Sequence, residues 1–198
     1  EKILIVDDLE NNRDLMSRIL SEMGYEVEGA GDGQEAVQKA FTSKPDLILL
    51  DVLMPKLNGY EVCEILKKDQ RTNDIPVIFL SAMGGPQDKI RGLEIGGVDY
   101  ITKPFNRQEV LARVAVQLKI RRLSQEVLEA NKNLKEKQKR LDEDLRAAAG
   151  IQQTLLPQKL PVMDEFAIAW KFLPSDVIGG DIFNIYRLDD QTLALYMI

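Results

Sequence analysis

Three short stretches, ILIV (residues 3–6), LILL (47–50) and VIFL (77–80), are apolar at every position. A strand with one face in water alternates apolar and polar side chains. A strand that is apolar throughout must be covered on both faces, which is the situation of a parallel sheet lying between helices. YEVEGA (25–30) and DYIT (99–102) supply two more strand signals, and amphipathic stretches of helical period separate all five. The predicted helices begin near Asn11, Asp32, Gly59 and Pro86, with a fifth after Asn106. Five strands alternating with five helices predict an α/β fold, a doubly wound five-stranded parallel sheet over residues 1–118.

At 198 residues the chain exceeds one such domain, since domains commonly run to about 100–150 residues. The next region, 119–150, is highly charged, lacks proline and has glycine only at its last position, a composition suited to a long solvated helix. Ile120, Val127, Leu134, Leu141, Ala148 and Leu155 recur every seven residues and predict one seam of a coiled coil. The companion positions are Leu123, Ala130, Lys137, Asp144 and Ile151, so the polar middle pair weakens the contact while restricting its register. The third region, 151–198, opens with IQQTLLPQKLP, whose prolines end the helix. EFAIAWKF, IFNIYRL and TLALYMI then read as successive strands, the last two joined by a DDQ turn. Three strands are too few to close a sheet, and the first residue is not methionine, so the chain reads as a fragment.

Composition narrows the chemistry. The chain contains no histidine, which removes histidine-assisted nucleophiles, histidine zinc sites and any phosphohistidine on this chain. The single cysteine, Cys63, has no intramolecular partner, no apolar run reaches membrane-spanning length, and no signal-peptide pattern opens the sequence, so a cytoplasmic location is expected. A formal charge of −6 gives no general attraction for nucleic acid or an anionic membrane, and neither is expected as a partner.

The acids are placed more pointedly. Asp7 and Asp8 follow the first strand and Asp51 ends the third. In a flavodoxin-like strand order these two strands are neighbours at the point where winding reverses, which is where open α/β sheets bind ligands. Taken singly, Asp7 and Asp8 suit a helix cap and Asp51 a turn before Met54–Pro55. Together they form a carboxylate pocket that calls for a hard divalent cation such as Mg²⁺. Ser81 and Lys103 end the fourth and fifth strands and point to the same mouth, where a hydroxyl and an ammonium stabilise phosphoryl oxygens. A dinucleotide site at GAGDGQ (29–34) fails because Gln34 stands where a glycine is required, and an Asp-x-Asp phosphatase or mutase fails because Val52 and Leu53 follow Asp51.

With VDD, DVLMPKLNGYE, FLSA and GVDYITKPF in order at strand ends, the first region resembles the response-regulator receiver domain. The resemblance implies that Asp51 is the phosphoacceptor. It further implies that Asp8, Asp51 and the backbone carbonyl of Leu53 bind Mg²⁺, with Asp7 supporting the ion through water, and that Lys103 contacts the phosphoryl group. Ser81 and Tyr100 are the implied switch pair, the hydroxyl moving towards the phosphate and the ring turning inward behind it. A cis Lys103–Pro104 bond is also implied, and the family more often has alanine where this chain has Gly97. The phosphodonor, a histidine kinase or phosphotransfer protein, must act in trans.

The segment LPSDVIGGDIFNIYRLDDQTLALYMI resembles the N-terminal part of a PPM-type (type 2C) serine/threonine phosphatase, with IQQTLLPQKLP resembling its preceding helical switch segment. That resemblance implies a metal role for Asp181, Mn²⁺ or Mg²⁺ in the complete phosphatase domain, and a phosphorylated protein as substrate. The family more often has aspartate at the position of Asn184. One carboxylate does not assemble a two-metal site, so this chain is expected to be inactive as a phosphatase. Two outputs follow: a homodimer whose coiled coil controls a phosphatase, or a dimeric adaptor whose coiled coil recruits a partner.

Overall fold

The computed structural model describes residues 1–82, 86–162, 167–174, 177–189 and 191–198, with the backbone alone at Pro86, Asp88 and Lys89. The chain divides into two compact units, Glu1–Glu126 and Val127–Ile198.

In the first unit β1 (Lys2–Val6), β2 (Glu26–Ala30), β3 (Leu47–Asp51), β4 (Val77–Ser81) and β5 (Asp99–Thr102) form one sheet in the order β2-β1-β3-β4-β5. Every pairing is parallel. The intervening helices are α1 (Glu10–Ser21), α2 (Gly33–Ser43), α3 (Gly59–Lys68) and α4 (Pro86–Glu94), and α5 (Arg107–Leu155) follows β5. The fully apolar strands are buried at every residue, and their alternate side chains feed two cores. Leu4, Ile48, Leu50 and Phe79 pack on one face with Val62, Cys63 and Leu66 of α3. Ile3, Ile5, Leu49 and Leu80 pack on the other with Met16 and Leu20 of α1 and Val110, Val114 and Leu118 of α5.

Two local choices position the functional end of this sheet. Asn58 caps α3 in a capping box with Glu61, and the first helical residue, Gly59, lies so close to the Asp51 carbonyl that a Cβ there would collide with it. The start of α3 is thereby pressed against the end of β3. The Lys103–Pro104 bond is cis, as expected. Gly97 has a steric reason as well: a Cβ at this position would meet the Phe79 ring. Phe79 occupies the space that an alanine would need.

The helix α5 runs without a break for 49 residues. Its N-terminus is capped by Asn106, whose Oδ1 accepts from the amides of Gln108 and Glu109 at 2.9 and 3.2 Å. The boundary between units falls within it, after Glu126. The predicted seam lies in solvent, with Ile120, Val127, Leu134, Leu141 and Leu155 each 50–58% exposed.

In the second unit β6 (Phe183–Arg187) and β7 (Leu193–Met197) form one antiparallel ladder. Asp189 Oδ1 accepts from the Gln191 amide at 2.8 Å in the turn between them, and Asp190 lies outside the described residues. The strand expected at EFAIAWKF is not formed over its described residues, 167–172. Glu165 and Phe166 fall outside the described residues, and 167–172 have no strand pairing. Trp170 makes a ring contact instead, meeting Phe183 edge-on with centroids 5.1 Å apart.

Candidate functional site

The order β2-β1-β3 makes β1 and β3 neighbours, with Val6 opposite Leu50, so the residues that follow each strand emerge side by side. Asp7, Asp8 and Asp51 each present an oxygen within 4.8 Å of the others. Asp7 and Asp51 are buried, whereas Asp8 is exposed at the rim. Asp7 and Asp8 do not serve as the cap of α1. Leu9 holds that position and no side chain caps it. Asp7 instead accepts from the Leu9 amide and from Asn12 Nδ2, each at 3.0 Å. Asp51 keeps a turn contact as well, its Oδ1 accepting from the Leu53 amide at 3.3 Å.

Lys103, carried to the same mouth by β5, donates from Nζ to Asp7 Oδ2 at 2.8 Å and to Asp51 Oδ2 at 2.6 Å. Burial works against its charge, yet the hydrogen bonds to Asp51 and Asp7 prevail and hold the ammonium above the usual lysine value. Asp51 does not gain equally. Burial raises its carboxyl above the ordinary range despite the hydrogen bond and charge of Lys103, and the like charge of Asp7 adds to the rise. One ammonium is shared by two buried acids with a third beside them, which leaves surplus negative charge among hard oxygen donors. Such a donor set fits Mg²⁺.

Ser81 is buried at the end of β4, where its carbonyl accepts from the Lys103 amide at 2.9 Å. Tyr100 is already buried, its ring 5.3 Å from that of Phe79 and its hydroxyl hydrogen-bonded to the Tyr60 hydroxyl. Arg91 lies over the Tyr60 ring, 4.7 Å from its centroid, a cation–π contact that joins α4 to this aromatic group. Asn12, Arg13 and Tyr60 escaped the sequence reading. Arg13 Nη1 donates to the Asp7 carbonyl at 2.6 Å and, with Asn12, fixes the acid from one helical turn away. A polar pair one turn beyond Asp7 and Asp8 is the signal that marks them. Asp181 belongs to the second unit and is exposed. Among the described residues it joins no group of three metal-ligating side chains.

Comparisons with known proteins agree with this geometry. Residues 3–115 match the family described as the response regulator receiver domain. Over 118 residues the chain is 48% identical to the DNA-binding dual master transcriptional regulator RpaA of Synechocystis sp., covering 60% of this chain and 49% of that protein. It is also 48% identical over 119 residues to the alkaline phosphatase synthesis transcriptional regulatory protein PhoP of Bacillus subtilis, with the same two coverages of 60% and 49%. The chain thus spans about half the length of the curated relatives it matches. Among solved structures, the chemotaxis protein CheY4 of Vibrio cholerae superposes with a TM-score of 0.56 at 34% identity, covering 58% of this chain and 95% of that one. No helix among the described residues is long and apolar enough to cross a membrane.

Proposed function

The chain belongs to the response regulator receiver family and is a two-component response regulator, and from that premise we propose that Asp51 accepts a phosphoryl group and that α5 carries the resulting change to an output in the second unit. The observation that supports this most is the convergence of Asp7, Asp8 and Asp51 on Lys103. Asp7, Asp8, Asp51 and the Leu53 carbonyl would hold Mg²⁺, which supplies charge neutralisation and an open coordination position for a phosphoryl oxygen.

An Asp51 oxygen attacks the phosphorus of a phosphohistidine on a kinase or phosphotransfer protein. The new P–O bond forms as the P–N bond breaks, and the electron pair returns to the partner's imidazole, which takes up a proton. Lys103 moves its hydrogen bond from Asp51 to a phosphoryl oxygen, replacing a lost carboxylate contact with a charge-assisted one. The Ser81 hydroxyl takes another phosphoryl oxygen, and Tyr100 stays packed behind it, forming the switch pair. Hydrolysis of the acyl phosphate by water resets the site.

For the output, the domains are the receiver (1–118), a dimeric coiled-coil linker (119–150) and the N-terminal part of a PPM-type phosphatase (151–198). The exposed heptad seam supports pairing with a second copy. The phosphatase reading rests on the resemblance of residues 173–198 and on Asp181, which would contribute to an Mn²⁺ or Mg²⁺ site acting on a phosphorylated protein. DNA binding belongs to the relatives that carry it in their names: the family match ends at residue 115, and residues 127–198 hold more acids than bases. The second reading, an adaptor whose coiled coil recruits a partner in the cytoplasm, draws on the same exposed seam.

Incubation with a small phosphodonor and Mg²⁺, followed by peptide mass spectrometry and sizing of the same sample, tests the proposal. One phosphoryl group is expected on Asp51, none in Asp51→Asn, and a dimer whose apparent size responds to phosphorylation in the natural chain only. Modification of another residue, or undiminished labelling of the variant, sinks it.

A further inference from the structure

Gln152 stands in the last turn of α5 and is only 8% exposed, although its neighbours Ile151 and Leu155 lie in solvent. Its amide pairs with both backbone groups of Gly179. Nε2 donates to the Gly179 carbonyl at 2.7 Å, and the Gly179 amide donates to Oε1 at 2.9 Å. Nε2 also lies 3.5 Å from the Asp181 carbonyl. The side chain therefore reads both backbone groups of Gly179, as an adjacent strand would, and its orientation is determined: turning the amide over sets donor against donor and carbonyl against carbonyl. Gly179 has no room for a side chain, because a Cβ would run into the Phe172 ring.

A two-point hydrogen bond of this kind is directional. Apolar packing tolerates some rotation of a helix, whereas a modest turn of α5 about its axis breaks both bonds together and strands buried polar groups. The same helix presents its heptad seam on an adjoining face, at Ala148, Ile151 and Leu155, so pairing with a second copy and the hold on Gly179 are compatible.

We propose that Gln152 is a positioning residue that ties the end of α5 to the Gly179–Gly180–Asp181 segment, so that the phosphorylation state of the receiver sets the placement of Asp181. The assignment rests on the reading of Asp51 as phosphoacceptor and of Asp181 as a metal ligand. The device it adds is the coupling between them.

Amide exchange of the whole chain, followed residue by residue by NMR, tests it. The Gly179 amide is expected to be protected in the natural chain and to exchange at least about tenfold faster in Gln152→Ala. Gln152→Glu, which keeps the acceptor for this amide but loses the donor, is expected to fall between them. Unchanged β6 and β7 amides establish that the hairpin stays folded, and Gln152→Glu serves should the alanine variant unfold. Adding a small phosphodonor and Mg²⁺ is expected to shift Gly179 exchange several-fold in the natural chain and not in Gln152→Ala, a response that a merely structural contact does not produce. Equal Gly179 exchange in the natural chain and Gln152→Ala, or a natural chain whose Gly179 ignores phosphorylation of Asp51, overturns the proposal. Titration with Mn²⁺ separates it from the phosphatase reading. If Gly179 responds to phosphorylation but no Mn²⁺ binding is lost in Asp181→Asn, the coupling stands and the metal role of Asp181 fails.

Discussion

The two units meet the demand for burial in opposite ways. The first seats helices on both faces of a five-stranded sheet, so that β3 and β4 are buried throughout. Among the described residues of the second, two strands pair and just Gln152, Leu156 and Pro157 are buried, while Leu195 and Met197 lie about 70% exposed. A closed core tolerates little change, and it is on this rigid frame that Asp7, Asp51 and Lys103 are brought together. An open hairpin leaves apolar surface available for further structure or for a partner. The largest expected effect follows directly. Phe79→Ala empties the space between Tyr60 and Tyr100 and is expected to cost about 3–5 kcal/mol in urea unfolding of the receiver. Leu195→Ala is expected to change stability by less than about 0.5 kcal/mol. Comparable losses would mean that the hairpin is covered in solution and would break the contrast.

The same contrast separates what could be read in the sequence from what could not. Runs such as LILL and VIFL identify buried strands because their composition reports both faces at once, and the acids at strand ends converge because parallel topology admits few strand orders. Gly59 and Pro86 begin helices where turn chemistry placed them. Contacts between distant positions left no local trace: Tyr60 meets Tyr100 across 40 residues and Gln152 meets Gly179 across 27. The described part of EFAIAWKF, residues 167–172, stays unpaired for a related reason, since alternation describes a strand's faces and does not supply a neighbouring edge to pair with. Core-facing side chains of α5 end at Leu118, whereas the first compact unit extends to Glu126.

An intermediate effect sharpens the contrast through pH. Cys63 is buried in the receiver core, and burial pushes its thiol up to about 11. The unfolded chain releases this proton first as pH rises, so the contribution to receiver stability is full below about pH 9 and declines towards pH 11. Between pH 9 and 10 the decline is expected to be about 1 kcal/mol. Urea midpoints of the natural chain and Cys63→Ala at pH 8 and 10 isolate it from other titrating groups. The second unit contains no cysteine, so its exchange rates should not differ between the two proteins at either pH. Identical pH slopes for the two midpoints would show that the thiol is not held neutral by burial.

The smallest effect concerns the boundary itself. Arg121 lies five residues before the end of the first unit, with its guanidinium 3.8 Å from Asp46 and 3.9 Å from Asp74. It also donates to the Asp74 carbonyl at 3.3 Å. Asp46 accepts in turn from the Lys2 amide at 2.9 Å, so one side chain links α5 to the beginnings of β1 and β3. The ion pairs are long, and the buried Nε has no hydrogen-bond partner among the described residues. The cost of that donor offsets part of what the charges contribute. Arg121→Ala is therefore expected to change receiver stability by less than about 1 kcal/mol, but to raise amide exchange several-fold over residues 119–126 and leave that of β1–β5 unaltered. Such a pattern would place the mechanical end of the receiver at Arg121 and let the helix beyond Leu118 behave as part of the open region. If the amides of 119–126 keep their protection, apolar packing through Leu118 is sufficient to hold the helix. Any signal from Asp51 would then have to enter α5 on its core-facing side, through Val110, Val114 and Leu118.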